Sequence, residues 1–175
     1  GNKTEAIKKT DAPKRPKSLP CDVYHIKVRG EDFFVLVGML NNHPYEVFAG
    51  KNGHLSYAKK GIIIKNKRGN YSVKFDDHTS IENVCDLVTD EQAAITRLLS
   101  LSLRHGADIK YMVEQLEKVP GDMTNFARSV SRSLKKYINN GTAVTGESCS
   151  NCGSDALIRE EGCKKCTKCA WSGCS

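Results

Sequence analysis

The feature that most constrains this chain is the crowding of cysteine near its C-terminal end. Six of the eight cysteines lie there, as Cys149-x-x-Cys152 followed by Cys163-x-x-Cys166-x-x-Cys169 and Cys174. A Cys-x-x-Cys turn presents two sulfurs on one side of the backbone. Two such turns with ten to thirteen residues between them can therefore close a tetrahedron around one ion, and the pattern reads as a four-thiolate zinc ribbon. A disulfide framework is the competing reading. No secretory leader is evident, however, and a reducing cytosol favours zinc or redox-active thiols over structural disulfides.

The central Cys163-x-x-Cys166-x-x-Cys169 run offers two overlapping pairs, and turn chemistry chooses between them. Residues 156–159 read as a short strand, Glu161-Gly162 as a hairpin turn and residues 163–165 as the returning strand. That places the second metal-binding turn at Cys166 and Cys169, to combine with Cys149 and Cys152. Small residues, Gly153 and Ala170, follow the two turns, where the backbone must bend to aim N–H groups at sulfur. Cys163 and Cys174 are then left over. Cys174 stands one residue from the end of the sequence, where a tail is normally mobile, and Lys164, Lys165 and Lys168 would favour the thiolate form. The surplus pair is expected to exchange disulfides as a redox shuttle. The plainer alternative packs Cys163 under the ribbon and leaves Cys174 as an inert terminal thiol.

The remaining sequence suffices for one domain with its own core, out of 175 residues in all. Residues 1–20 carry Lys3, Lys8, Lys9, Lys14, Arg15 and Lys17 with Pro13, Pro16 and Pro20, and read as a basic arm or linker. Much of the net charge of +7 lies there and around the ribbon. Residues 21–141 form an α+β domain. Tyr24, Ile26 and Val28 alternate, residues 33–40 run apolar like a central strand, and residues 45–49, 61–65 and 71–75 follow between turn signals, giving about five antiparallel strands. The intervening turns fall at residues 29–32, 41–44, 50–53 and 66–70. Three helices come next. Thr89 is the N-cap of the first, whose buried face is expected to be Ala94, Ile95, Leu98, Leu99 and Ser102. The second buries Ile109, Met112, Val113, Leu116 and Val119, and the third Phe126, Val130, Leu134, Tyr137 and Ile138. Strands followed by helices imply a sheet with helices on one face. Residues 142–148 lead into the ribbon, which with its redox tail takes residues 142–175.

Catalytic motifs are missing from this body. There is no phosphate-cradling glycine loop, nucleophile elbow or His-Glu-x-x-His. His25, His43, His54, His78 and His105 are scattered, and Cys21 and Cys85 read as small buried groups. No segment has the apolar length of a transmembrane helix, so no membrane is expected and the setting is expected to be cytoplasmic. A module that grips nucleic acid would interleave aromatic and basic residues, and near the ribbon only Trp171 qualifies. Nucleic acid is accordingly not the expected partner, although a nucleic-acid-binding or protein-interaction module without redox activity is the alternative class.

Several motifs resemble one family. Arg15-Pro16-x-x-Leu19-Pro20, the run Val35-Leu36-Val37-Gly38 with Pro44-Tyr45-Glu46-Val47-Phe48-Ala49-Gly50, and Ile95-Thr96-Arg97-Leu98-Leu99-Ser100-Leu101-x-Leu103-Arg104 are similar to the C-terminal region of adenosylcobalamin-dependent, class II ribonucleotide reductases. The tail, Glu161-Gly162-Cys163-x-x-Cys166-x-x-Cys169-Ala170-Trp171-Ser172-x-Cys174, resembles the cysteine-rich end of that family, which usually has Gly at the place of Ala170 and Tyr at that of Trp171. The resemblance spans residues 14–174. It implies an accessory part of the reductase: the radical barrel with its adenosylcobalamin would lie in a separate catalytic region, which is the expected partner. A C-terminal cysteine pair would re-reduce that barrel's active-site disulfide and be reset by a thioredoxin-like reductant. The spacing Cys169-x4-Cys174 also matches the mobile pair of related reductases. In that version Cys169 and Cys174 form the shuttle, and Cys149, Cys152, Cys163 and Cys166 hold the zinc.

Overall fold

The computed structural model describes residues 5–52, 55 and 57–174. Lys3 and His54, named above, and the last residue of the turn expected at 50–53 lie outside them. Six strands form one antiparallel sheet: β1 (Ser18–Val28), β2 (Glu31–Leu40), β3 (His43–Lys51), β4 (Lys60–Lys67), β5 (Asn70–Phe75) and the two-residue β6 (Ser80–Ile81), in the spatial order β3-β2-β1-β4-β5-β6. Two tight turns set the register of the first hairpins. Arg29 and Gly30 have φ of 50° and 83°, and Asn41 and Asn42 have 50° and 64°, the paired left-handed geometry that matches the twist of adjoining strands. The second turn is thus narrower than expected, and His43 and Pro44 belong to β3. As an edge strand, β3 tolerates a proline without an N–H near its start.

β2 is buried on both faces, which explains its unbroken apolar run. Phe33, Val35 and Val37 face Val28, Val47 and Ala49 and the helical layer. Phe34 and Leu36 face the other way, toward Cys21, Val23, Ile63, Val73, Phe75 and Val84. The outer strands β4 and β5, with the 3-10 turn Val84–Leu87, supply that second core. Full burial of each such side chain is worth about 1.5–3 kcal/mol, so both faces of the sheet contribute to its stability.

Three helices follow: α1 (Asp90–Arg104), α2 (Ile109–Glu117) and α3 (Thr124–Leu134), the last continued by a 3-10 turn at Lys135–Tyr137. Thr89 opens α1 with a reciprocal cap: its hydroxyl accepts from Gln92 N at 3.2 Å, and Gln92 Oε1 accepts from Thr89 N at 3.0 Å. α2 and α3 bury Met112, Val113, Leu116, Phe126, Val130 and Leu134 on the face of β1 and β2, and Phe33 meets Phe126 with ring centroids 6.3 Å apart.

The buried face of α1 departs from the expectation. Gln92, Thr96, Ser100 and Leu103 are buried, Ile95 and Leu99 are half-buried, and Ala94 and Leu98 are exposed. The reason is its neighbour. α1 lies along β3, an edge strand whose outer backbone groups need hydrogen-bond partners, and polar side chains can supply them where leucine cannot.

The N-terminal stretch also differs from a free arm. β1 begins at Ser18, inside the segment expected as arm, because Leu19 pairs with Ile63 of β4 and is buried. Arg15 is seated in the fold: its guanidinium bonds both carboxylate oxygens of Glu46 at 3.0 and 2.7 Å, with the two side chains 10% and 4% exposed. Tyr45 donates its hydroxyl to Pro13 O at 2.7 Å. Among the described residues no helix is long and apolar enough to cross a membrane.

Candidate metal centre and thiol pair

The C-terminal module is a second, three-stranded antiparallel sheet: β7 (Leu157–Glu160), β8 (Cys163–Cys166) and β9 (Ser172–Gly173), in the order β7-β8-β9. Glu161 and Gly162, with φ of 51° and 79°, make the two-residue turn between β7 and β8. The segment read as a linker is tied to β7: Gly141 N donates to Arg159 O at 2.7 Å, Arg159 N to Thr142 O at 2.7 Å, and Val144 N to Leu157 O at 2.9 Å. Val144, Cys149, Leu157 and Cys166 form a small core beside Cys169 and Trp171.

This hairpin brings the two Cys-x-x-Cys turns face to face. The sulfurs of Cys149, Cys152, Cys166 and Cys169 all lie within 4.8 Å of one another, with Cys149 Sγ 3.6 Å from Cys169 Sγ and Cys152 Sγ 3.7 Å from Cys166 Sγ. A tetrahedron of zinc–sulfur bonds of about 2.3 Å would place its sulfurs about 3.8 Å apart, so the donor set fits such an ion. The second shell fits too. Lys168 N donates to Cys166 Sγ at 3.4 Å, Asn151 Nδ2 donates to Cys169 Sγ at 3.4 Å, and the backbone N–H groups of Ser154 and Trp171 serve Cys152 and Cys169. The turns that aim these N–H groups require left-handed backbone, φ 72° at Gly153 and 61° at Ala170.

The thiols do not ionise alike. Donation from the Asn151 side chain and from Trp171 N–H draws Cys169 down to about 6, so its proton leaves readily. Ser154 N–H favours the thiolate of Cys152, but desolvation and hydrogen bonds to Cys169, Cys166 and Cys149 outweigh it and push that thiol up to about 11. A cation entering the quartet would displace the protons these neighbours share.

The two remaining cysteines of the tail, Cys163 on β8 and Cys174 beyond β9, are joined as a disulfide with Cα atoms 4.5 Å apart. Cys174 is exposed and Cys163 half-buried. The bond borders a depression of about 240 Å³ lined by Ile26, Arg132, Lys135, Lys136 and Glu161. The cations beside it thus come from the end of α3 and the turn after it. Of the lysines expected there, Lys164 instead reaches Glu147 at 2.7 Å and Glu117 at 3.7 Å, and Lys165 reaches Glu160 at 3.3 Å. The sequence signal was the basic end of α3, at positions 132, 135 and 136, but only the docking of the ribbon on that end connects it to the thiols. The other two cysteines stand apart: Cys21 is buried in the sheet, where burial pushes its thiol up to about 12, and Cys85 is half-buried with its thiol also raised by burial. Neither suits nucleophilic chemistry.

Trp171, the single tryptophan, closes the module over Gly173: a Cβ on that glycine would lie 2.6 Å from the indole ring.

No curated protein and no solved structure matches the chain. A family model does, described as the NrdJ homologue C-terminal domain, over residues 19–139, from the second residue of β1 to the end of the helical layer and short of the cysteine ribbon. That span is more than half of the sequence and covers the sheet, the helices and the motifs at residues 35–50 and 95–104, but neither Arg15-Pro16 nor the cysteine tail. The chain belongs to the NrdJ homologue C-terminal domain family, a homologue family related to class II ribonucleotide reductase.

Proposed function

We propose that this chain is the C-terminal accessory part of an adenosylcobalamin-dependent ribonucleotide reductase, binding zinc and passing reducing equivalents to the active-site disulfide of the catalytic barrel. The observation that carries this reading is the sorting of the six tail cysteines into one convergent quartet and one pair bonded to each other at the surface. Cys149, Cys152, Cys166 and Cys169 would hold zinc, which supplies folding energy to a core too small to stand alone. Cys163 and Cys174 are the shuttle. The position of Cys169 Sγ, 3.6 Å from Cys149 Sγ, favours this division over the pair Cys169 and Cys174.

The transfer is a pair of thiol–disulfide exchanges. One thiolate of the reduced pair attacks a sulfur of the barrel's disulfide and releases one active-site thiol. The second thiolate then attacks the mixed disulfide, closes Cys163–Cys174 and releases the other thiol. Two electrons and two protons have moved to the barrel, and a thioredoxin-like dithiol then reduces the Cys163–Cys174 disulfide by two further exchanges, ending as a disulfide itself. Adenosylcobalamin belongs to the catalytic region, and no residue of this chain is assigned to it.

The test combines the chain with a catalytic region lacking its own C-terminal part. Cys163→Ser and Cys174→Ser should each retain zinc and support one turnover, lose multiple turnovers with a protein donor, and recover partly with a small dithiol. Release of zinc by Cys163→Ser, with zinc retained but recycling blocked in Cys169→Ser, would instead assign the shuttle to Cys169 and Cys174. Undiminished multiple turnover in both would remove the redox role.

A further inference from the structure

Because α1 spends its polar face on the edge of β3, its leucines are left outside. Leu98 is 66% exposed and Leu101 is 45% exposed, one helical turn apart. They border a groove of about 390 Å³ between α1, β3 and the β4–β5 turn, in which the Phe48 and Tyr71 rings stand 5.0 Å apart. Three guanidinium groups line the same groove, those of Arg68, Arg97 and Arg104, and none of them has a carboxylate partner among the described residues. The one acidic side chain in the lining, Glu46, has both oxygens engaged by Arg15. The groove therefore joins an apolar wall of Leu98, Leu101, Phe48 and Tyr71 to a positive rim, and its one carboxylate is already paired with Arg15. Arginine at such a rim favours carboxylate partners, since its planar fork meets two oxygens at once.

We propose that this groove docks an acidic amphipathic segment of the reductase's catalytic region. Apolar side chains of that segment cover Leu98, Leu101 and the Phe48–Tyr71 wall, and its carboxylates meet Arg68, Arg97 and Arg104. A lone small anion would use the arginines and leave the leucine pair in water, whereas a peptide helix or strand covers both. The identity of the partner rests on the function proposed above. The placement suits that function. Glu46 pairs with Gly38, which pairs with Cys21 of β1, while Ile26, at the disulfide depression, lies five residues further along the same strand. That is about 17 Å at the rise of a strand, so the docked segment holds the chain while the Cys163–Cys174 end stays free to exchange.

The test is titration of the full chain with a catalytic region lacking its own C-terminal part, at low and moderate salt, with circular dichroism and zinc content confirming that each variant folds. The wild-type chain should bind, more weakly as salt rises. The paired variants Leu98→Asp/Leu101→Asp and Arg97→Glu/Arg104→Glu should each bind at least tenfold more weakly. Wild-type binding that both paired variants retain overturns the groove and leaves the proposed function standing. Loss only in the arginine variant reduces the contact to attraction for any polyanion and overturns the amphipathic partner. Failure of the wild-type chain to bind sinks the reductase partnership itself, and the docking proposal with it.

Discussion

Ser100 holds the edge of the sheet: its hydroxyl accepts from Val47 N at 2.9 Å and donates to Val47 O at 3.3 Å, satisfying both backbone groups of an edge-strand residue from a helix. Both residues are buried, so water cannot replace the hydroxyl. Ser100→Ala should cost about 1–3 kcal/mol, the penalty of a buried polar group left without a partner. Urea denaturation measures it, and the Val47 amide should exchange faster with solvent. Unchanged stability would mean that α1 does not depend on this edge contact.

The Arg15–Glu46 pair makes a stronger demand. Removing the guanidinium strands a carboxylate that is 4% exposed, so Arg15→Ala should destabilise the domain by about 3–5 kcal/mol. Adding Glu46→Gln should recover much of that loss, since the amide carries no charge to desolvate. A double variant as unstable as the single one would show that Arg15 acts by tethering the N-terminal segment.

Ala170 sits at φ 61°, a conformation that costs a side-chain-bearing residue about 1–2 kcal/mol. Ala170→Gly relieves it, at some cost in unfolded-chain entropy, and should stabilise the metal-bound ribbon by roughly 1 kcal/mol. Competition with a chromogenic zinc chelator reads the change, and weaker zinc retention in the variant would count against the turn geometry.

Lys135 is 3% exposed, and burial pushes its amine down to about 8, with Glu117 opposing the shift. Because the folded value lies below the ordinary one, the unfolded chain binds more protons between about pH 8 and 10.5, and folding gains as pH rises through that window. Relative to Lys135→Met, the wild-type chain should gain on the order of 2–3 kcal/mol from pH 7.5 to 10.5. Denaturant midpoints of the two proteins that stay parallel across this range would contradict the burial of a charged amine.

Metal removal should separate the two modules. The ribbon core comprises Val144, Leu157, Cys149 and Cys166, with Trp171 against it, while the sheet and helices have two cores of their own. A strong chelator should shift Trp171 emission to the red and leave the helical circular dichroism largely intact. Collapse of the whole fold would show that the ribbon's contacts through Lys164, Arg159 and Glu117 are essential to the α+β domain.

What the residues declared in advance were interactions that close within a few positions. The Cys-x-x-Cys turns, the Glu161-Gly162 hairpin, the Thr89 cap and the apolar alternation of the strands are all local, and the fold contains each of them where the spacing placed it. The two-residue β6 has too little sequence to carry a period and was invisible. The face of α1 was misread for a different reason. Apolar periodicity names the face that prefers an oily neighbour, whereas this helix lies against unpaired backbone, so Gln92, Thr96 and Ser100 turn inward and Leu98 outward.

The sequence by itself determined that six thiols crowd into the tail, two more than one four-coordinate ion uses, and that a sheet would precede three helices. Tertiary structure decided which sulfurs meet, since Cys163 and Cys174 come together only once β9 pairs with β8 and brings Ser172 opposite Lys165. It also decided that Arg15 leaves the arm for Glu46, and that Arg132, Lys135 and Lys136 face the disulfide in place of the ribbon's own lysines. Such charges find partners across tens of residues by shape and burial, which no local spacing encodes.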